Sequence, residues 1–136
     1  RQIRGCDWSE EIIVKAQNTH TDNIDFYVRS IYEVDDSDKA DLAVCCEVLE
    51  HLERPDDALE RLRQITGKYC LLSVPNEPLW RILNMARLRY VSSFGNTPGH
   101  LNHWRSNDFI KLVNRYFEII AVRKPLPWVM VLCRKR

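Results

Sequence analysis

The pattern of apolar positions along the chain predicts strands that alternate with helices. Apolar runs of strand length recur, and charged residues, Gly or Pro bound most of them. The run at 41–46, Asp-Leu-Ala-Val-Cys-Cys, is apolar without interruption after its first residue, which is typical of a strand covered on both faces. The predicted strands cover residues 2–7, 24–29, 41–46, 69–74, 119–123 and 128–133.

Helical spacing of apolar residues predicts four helices between these strands. The first follows Ser9, a favourable N-cap residue. The second begins at Pro55, which suits a first helical turn, and is expected to end at Gly67 in a left-handed cap. The other two are predicted over 78–91 and after Ser106.

This order of elements predicts an α/β fold with a mostly parallel sheet, helices on both faces and a C-terminal antiparallel hairpin. The short segment Pro125-Leu-Pro127 joins the two strands of the hairpin. Residues 1–136 form a single domain in this interpretation, and 78–104 is a candidate lid. Ligands of such sheets bind beyond the carboxyl ends of the strands, so residues there are the first candidates for chemistry.

Composition narrows the classes of protein to which the chain can belong. The 136 residues are 45% hydrophobic and 29% charged, with a net charge of +1, so no overall field attracts nucleic acid or an anionic membrane. No apolar run is long enough to span a bilayer and no signal peptide is visible, so we expect no membrane span and a cytoplasmic location. The five cysteines include no C-x-x-C pair, which favours buried thiols over a zinc site.

Asp7 closes the first predicted strand and precedes a helix. A carboxylate at such a position can accept hydrogen bonds from both hydroxyls of a ribose. Trp8 beside it offers a flat surface for a nucleotide base. The alternative is structural: Asp7 assists the start of the helix and Trp8 fills a groove.

The segment Cys46-Glu-Val-Leu-Glu-His51 directly follows the most apolar strand. If the chain turns helically there, Glu47, Glu50 and His51 project to one side. Two carboxylates and an imidazole can bind a cation or move a proton from a substrate. The alternative is that Glu50 pairs with Arg54, one turn along, and that His51 packs against the next loop.

A second polar cluster lies in the loop Gly99-His-Leu-Asn-His-Trp104. Loops between regular elements often carry binding residues, which makes His100 and His103 candidates. Hydrogen bonding of either histidine to the loop backbone is the alternative.

Together these stretches resemble the class I S-adenosylmethionine-dependent methyltransferases, in particular the small-molecule type that includes quinone-biosynthesis enzymes. The resemblance implies S-adenosylmethionine as cofactor and a small-molecule acceptor, and it covers almost the whole chain. The matching segments are Gly5-Cys-Asp-Trp-Ser9, Asp41-Leu-Ala-Val-Cys-Cys-Glu-Val-Leu-Glu-His-Leu52, Leu71-Leu-Ser-Val-Pro-Asn76 and the final hairpin.

The resemblance also implies roles for particular residues. Asp7 resembles the acid that binds the ribose hydroxyls, and Trp8 the neighbour of the adenine. Many relatives have an acidic residue where this chain has Ser30. The implied cofactor-binding residues are Asp7, Trp8, Ser30, Ile31, Cys46 and Glu47, the last two beside the methionine part of the cofactor.

The implied catalytic residues are His51, Glu50 and His103, with no metal ion. In an alternative, Glu47, Glu50 and His51, with His103 or His100, resemble the metal-binding set of small-RNA 2′-O-methyltransferases. Oxygen and imidazole ligands would suit Mg²⁺, Mn²⁺ or Zn²⁺.

One departure from the family concerns the glycine-rich loop that follows its first strand. The four glycines, at positions 5, 67, 95 and 99, form no G-x-G pattern. The resemblance therefore implies that the first strand and helix are missing, and we expect roughly 40–60 further residues upstream. Without them, the chain is expected to dimerise, or to be a non-catalytic remnant that acts through a partner.

Overall fold

The computed structural model describes residues 2–19, 23–88, 90, 93–94 and 96–136. Elements within these residues alternate between strands and helices over most of the chain. The strands are β1 (Ile3–Asp7), β2 (Ile24–Val28), β3 (Ala40–Cys46), β4 (Thr66–Pro75), β5 (Phe117–Arg123) and β6 (Trp128–Lys135). The helices are α1 (Glu10–Thr19), α2 (Pro55–Ile65), α3 (Leu79–Ala86) and α4 (Ser106–Val113).

The strands form two sheets. β1 and β2 pair in parallel, and the other sheet has the order β3-β4-β6-β5. In it, β3 and β4 are parallel, whereas β6 is antiparallel to both β4 and β5. The predicted α/β class and its C-terminal antiparallel hairpin are therefore confirmed. Within the described residues no ladder joins β1 to β3, and the expectation of a missing strand stays a prediction.

A buried carboxylate attaches the β1–β2 pair to the segment that leads into β3. Asp38 accepts hydrogen bonds from the Tyr27 hydroxyl and the Arg29 guanidinium, both at 2.7 Å. Arg4 of β1 also donates to the Ser37 carbonyl at 2.8 Å. Because Arg29 follows directly after β2, these side-chain contacts hold the two sheets together.

The main core lies on one face of the four-stranded sheet. Alternate residues of its strands point into this core, as the period of two requires. α2 and α4 cover that face with apolar side chains, whereas Leu42 and Val44 of β3 lie exposed on the other face. The core side chains with the least exposure include Leu49, Leu59, Cys70, Leu72, Val74, Phe109, Val113, Phe117, Val129, Val131 and Cys133.

Local signals placed the starts of α1 and α2 correctly, whereas Ser106 is the first residue of α4 and not its cap. The Ser9 hydroxyl caps α1 through the Ile12 amide at 3.5 Å, and Pro55 is the first residue of α2. α3 is shorter than predicted, and positions 89 and 91 of that prediction lie outside the described residues.

The predicted left-handed cap at Gly67 is wrong. α2 ends at Ile65 and β4 begins at once with Thr66, so Gly67 is a strand residue. A Cβ atom at Gly67 would lie 2.9 Å from the Ala40 carbonyl oxygen. The glycine is therefore required by the close approach of β3 and not by a helix end.

No helix in the described part of the chain is long and apolar enough to cross a bilayer. The single-domain assignment, the lid at 78–104 and the cytoplasmic location stay predictions.

Candidate functional site

The carboxyl ends of β3 and β4 meet at one edge of the sheet because these strands run in parallel. β6 begins at the same edge, since Trp128 lies opposite Pro75 in the antiparallel ladder. Residues that follow β3 and β4 are therefore brought together with the start of β6.

Glu47 links these three strands through hydrogen bonds to its side chain. Its carboxylate accepts hydrogen bonds from the Ser73 hydroxyl at 2.9 Å and the Trp128 indole at 2.8 Å. Its φ of 56° places a non-glycine residue in the sparsely populated left-handed region. Both oxygens of the Glu47 carboxylate therefore accept a hydrogen bond. The left-handed backbone conformation turns the chain sharply as it leaves β3.

Glu50 lies in the short 3-10 turn Leu49–His51 that follows, so the chain does turn helically here, although Glu47 lies outside the turn. The residue is only 1% exposed, and its Oε2 atom has no hydrogen-bond partner. Burial, together with the nearby charge of Glu47, raises the pKa of Glu50 to about 7. The predicted alternative partner, Arg54, instead pairs with Asp57 at 2.9 Å.

His51 is oriented by the loop that carries the other histidines. Its Nδ1 atom lies 2.9 Å from the Gly99 carbonyl oxygen. Because a carbonyl only accepts, Nδ1 carries the hydrogen and the neutral ring presents its lone pair at Nε2. Nε2 lies 3.9 Å from Glu50 Oε1, so the lone pair faces the buried carboxyl.

The loop is fixed on the 3-10 turn by backbone contacts. The Leu101 and Asn102 amides donate to the Glu50 carbonyl at 2.8 Å and 3.0 Å. The Asn102 side chain also donates to the carbonyls of Leu49 and Leu52. These contacts place the buried ring of His100 edge-on against His51, with 4.8 Å between ring centroids.

The structure groups Glu50 and His51 with His100. One ligand atom from each lies within 4.8 Å of the others, and we call these three residues the Glu50 cluster. Burial is the main reason that the pKa of His100 is lowered, which keeps this ring neutral. His103 is instead exposed and bonds the Asn96 side chain at 2.6 Å.

Glu77 is a candidate that sequence reasoning missed. It follows β4, is buried, and neither of its carboxylate oxygens has a hydrogen-bond partner. Burial raises its pKa, although His103 and Arg81 lie near enough to oppose that shift. The sequence signal that could have identified Glu77 is an acidic residue two positions after a buried strand.

Of the other predicted cofactor-binding residues, Cys46 is the last residue of β3, and the remaining four lie at the carboxyl ends of β1 and β2. Asp7 accepts the Ser9 amide at 2.8 Å through Oδ1, and Trp8 is 78% exposed. The Ser30 hydroxyl accepts the Tyr32 amide, and Ile31 packs partly against the core. The parallel register brings Asp7 opposite Val28, two residues before Ser30.

A methyltransferase domain family model matches residues 1–68 of the chain. No curated protein matches significantly. Among solved structures, the chain is similar to magnesium protoporphyrin IX methyltransferase from Synechocystis PCC 6803 with bound S-adenosylhomocysteine. The TM-score is 0.76 at 16% identity, covering 99% of this chain and 64% of that one. The chain therefore spans less than two thirds of that enzyme.

Two further similar structures are those of methyltransferases of other kinds. N-methyltransferase NodS from Bradyrhizobium japonicum WM9 has a TM-score of 0.70 at 12% identity, covering 98% of this chain and 73% of that one. A small RNA methyltransferase has a TM-score of 0.76 at 19% identity, covering 99% of this chain and 20% of that one. At these identities the likeness establishes the fold.

Proposed function

The chain belongs to the methyltransferase domain family, and from this we propose that it transfers the methyl group of S-adenosylmethionine to an acceptor beside the Glu50 cluster. One observation carries the proposal. A buried carboxyl and two imidazoles lie directly after parallel strands β3 and β4, at the strand ends where such folds bind ligands.

The cofactor would lie across the strand ends of both sheets. Asp7 would accept the ribose hydroxyls, with Trp8, Ser30 and Ile31 around the adenine. Cys46 and Glu47 would line the methionine part. Because Ser73 and Trp128 already hold the Glu47 carboxylate, its charge faces a sulfonium from a fixed position without reorganisation.

The acceptor would lose its proton to the Glu50 cluster. When bound, S-adenosylmethionine would supply a methyl group already activated by its sulfonium, with the neutral sulfur as leaving group. The proton of an O–H or N–H acceptor passes to His51 Nε2, whose lone pair is exposed by the Nδ1 contact to Gly99. Glu50 would stabilise the resulting imidazolium, and His103 would contribute from the adjoining loop.

A calorimetric titration of the intact protein with S-adenosylmethionine tests the proposal. We expect saturable heat with one cofactor bound per chain, because the ribose and sulfonium contacts need no acceptor. An absence of heat at about millimolar ligand would contradict it, since binding weaker than that contributes less than about 4 kcal/mol.

The unpaired Oε2 atom of Glu50 favours a second candidate, metal-assisted transfer to a hydroxyl. A buried carboxyl beside two imidazoles fits a divalent cation such as Mn²⁺ or Zn²⁺. A bound cation would lower the pKa of an acceptor hydroxyl. Glu50, His51 and His100 would hold it, while Glu47 is committed to Ser73 and Trp128.

Binding of Mn²⁺ to the chelator-treated protein, followed by electron paramagnetic resonance, tests this second candidate. We expect His100→Ala to weaken binding at least about tenfold, because it removes a ligand. His103→Ala is the matched control and should bind as the wild type does. No binding by the wild type, or equal losses in both variants, would contradict the assignment.

A further inference from the structure

α3 and the residues after it expose large apolar side chains on one surface. Ile82 is 57% exposed and Met85 lies three positions further along, so both occupy the same helix face. Leu88, just beyond the helix, is 84% exposed and Phe94 is 72% exposed. Arg81 Nε donates to the Phe94 carbonyl at 3.0 Å, which joins Phe94 to this surface. Single exposed apolar residues are ordinary, whereas a cluster indicates a binding surface.

The same surface carries positive charge that no described salt bridge neutralises, although Arg81 lies near enough to the Glu77 carboxyl to oppose the rise in its pKa. Residues 78–107 contain arginines and no Asp or Glu. Arg81 and Arg87 use their Nε atoms on backbone carbonyls and form no salt bridge with a described carboxylate. Elsewhere most described arginines are paired: Arg29 with Asp38, Arg54 with Asp57, Arg63 with Glu60, Arg115 with Asp56 and Arg134 with Glu118.

We infer that the surface of Arg81, Ile82, Met85, Arg87, Leu88 and Phe94, here called the α3 surface, binds an anionic phospholipid bilayer. Its apolar side chains enter the boundary of the acyl chains while its guanidinium groups pair with lipid phosphates. The net charge of +1 is no obstacle, because attraction within a Debye length depends on the local charges.

The chemistry of the α3 surface favours lipid over other anionic partners. A nucleic acid would pair with the arginines but would leave the aliphatic groups of Ile82, Met85 and Leu88 in water. An acidic protein surface would also pair with the arginines, but its charged side chains would leave these aliphatic groups in water. A bilayer with acidic headgroups satisfies both kinds of side chain at once.

The α3 surface adjoins the candidate site. Trp80, on α3, packs against His100 and Trp128, with ring centroids 6.3 Å and 5.9 Å apart. Docking of α3 would therefore place the Glu50 cluster at the lipid boundary. The inference does not depend on the proposed methyl transfer, since membrane binding requires neither cofactor nor acceptor.

Co-sedimentation of the intact protein with vesicles tests the inference without cofactor. We expect binding to phosphatidylcholine vesicles that contain phosphatidylglycerol, little binding to phosphatidylcholine alone, and weaker binding at high salt. The double variant Ile82→Ser/Leu88→Ser should bind these vesicles about tenfold or more weakly. Arg87→Gln should show a smaller loss of affinity.

Two matched variants serve as controls. Ile12→Ser changes an apolar residue of α1 that is 50% exposed, and Arg61→Gln changes an exposed arginine of α2. Both should bind vesicles as the wild type does, with circular dichroism showing that every variant is folded. The inference is overturned if the wild-type protein does not bind acidic vesicles, or if it binds equally well without phosphatidylglycerol. It is also overturned if the control variants lose as much affinity as the α3 variants.

Discussion

Replacing Glu50 by glutamine is expected to stabilise the folded protein by about 3 kcal/mol at roughly pH 8, and to leave its stability nearly unchanged at roughly pH 4. Burial raises the pKa of Glu50 to about 7 from its ordinary value of 4.5. The folded state therefore favours the protonated carboxyl, and ionisation opposes folding. The wild type keeps its full stability below the unfolded pKa of this carboxyl and loses stability as the pH rises from there through the folded pKa, whereas the glutamine variant does not.

Urea unfolding at both pH values, in the presence of a chelator, measures this effect. Glutamine keeps the shape of the neutral carboxyl, so the wild type and variant should agree in acid and separate as the pH rises. Glu53→Gln, at an exposed position three residues along, is the matched control and should change stability little at either pH. A Glu50→Gln effect that does not vary with pH would contradict the buried, unpaired carboxyl.

Features set by neighbouring residues could be predicted from the sequence. The apolar run at 41–46 predicted β3, and the hydroxyl of Ser9 and the ring of Pro55 marked helix starts, because propensity and capping act within one turn. The resemblance to methyltransferases is confirmed at the level of family and fold.

Features set by contacts between distant segments could not be predicted. Glycine is suited both to a helix cap and to a close contact between strands. Only the close approach of the Ala40 carbonyl oxygen shows that the strand contact is the reason for Gly67. The resemblance implied His103 as a catalytic residue, whereas the Asn102 contacts to the 3-10 turn place the ring of His100 against His51, which spacing along the chain could not show. The burial of Glu77 likewise depends on how the later loop packs.

Asp7→Asn is expected to weaken S-adenosylmethionine binding about 10- to 100-fold, from the roughly 1.5–3 kcal/mol of hydrogen bonds to a charged group. The amide oxygen can still accept the Ser9 amide hydrogen bond that Oδ1 accepts at 2.8 Å, so the helix start is preserved. What is lost is the negative charge that would accept the ribose hydroxyls. Calorimetry of both proteins measures the change in Kd.

Asp25→Asn is the matched control for this variant. Asp25 is an exposed carboxylate near the amino end of β2, in register with Arg4 of β1 and away from the carboxyl ends of the strands. We expect its Kd to equal that of the wild type. Equal affinities of the wild type and Asp7→Asn would show that Asp7 serves only the helix start.

The crystal structure of the intact protein with S-adenosylhomocysteine tests the central claim most directly. The account predicts the ribose hydroxyls within hydrogen-bond distance of the Asp7 carboxylate and the homocysteine part beside Cys46 and Glu47, so that one ligand bridges the ends of β1 and β3. A ligand bound elsewhere, or one that contacts only one of these two strand ends, would contradict it.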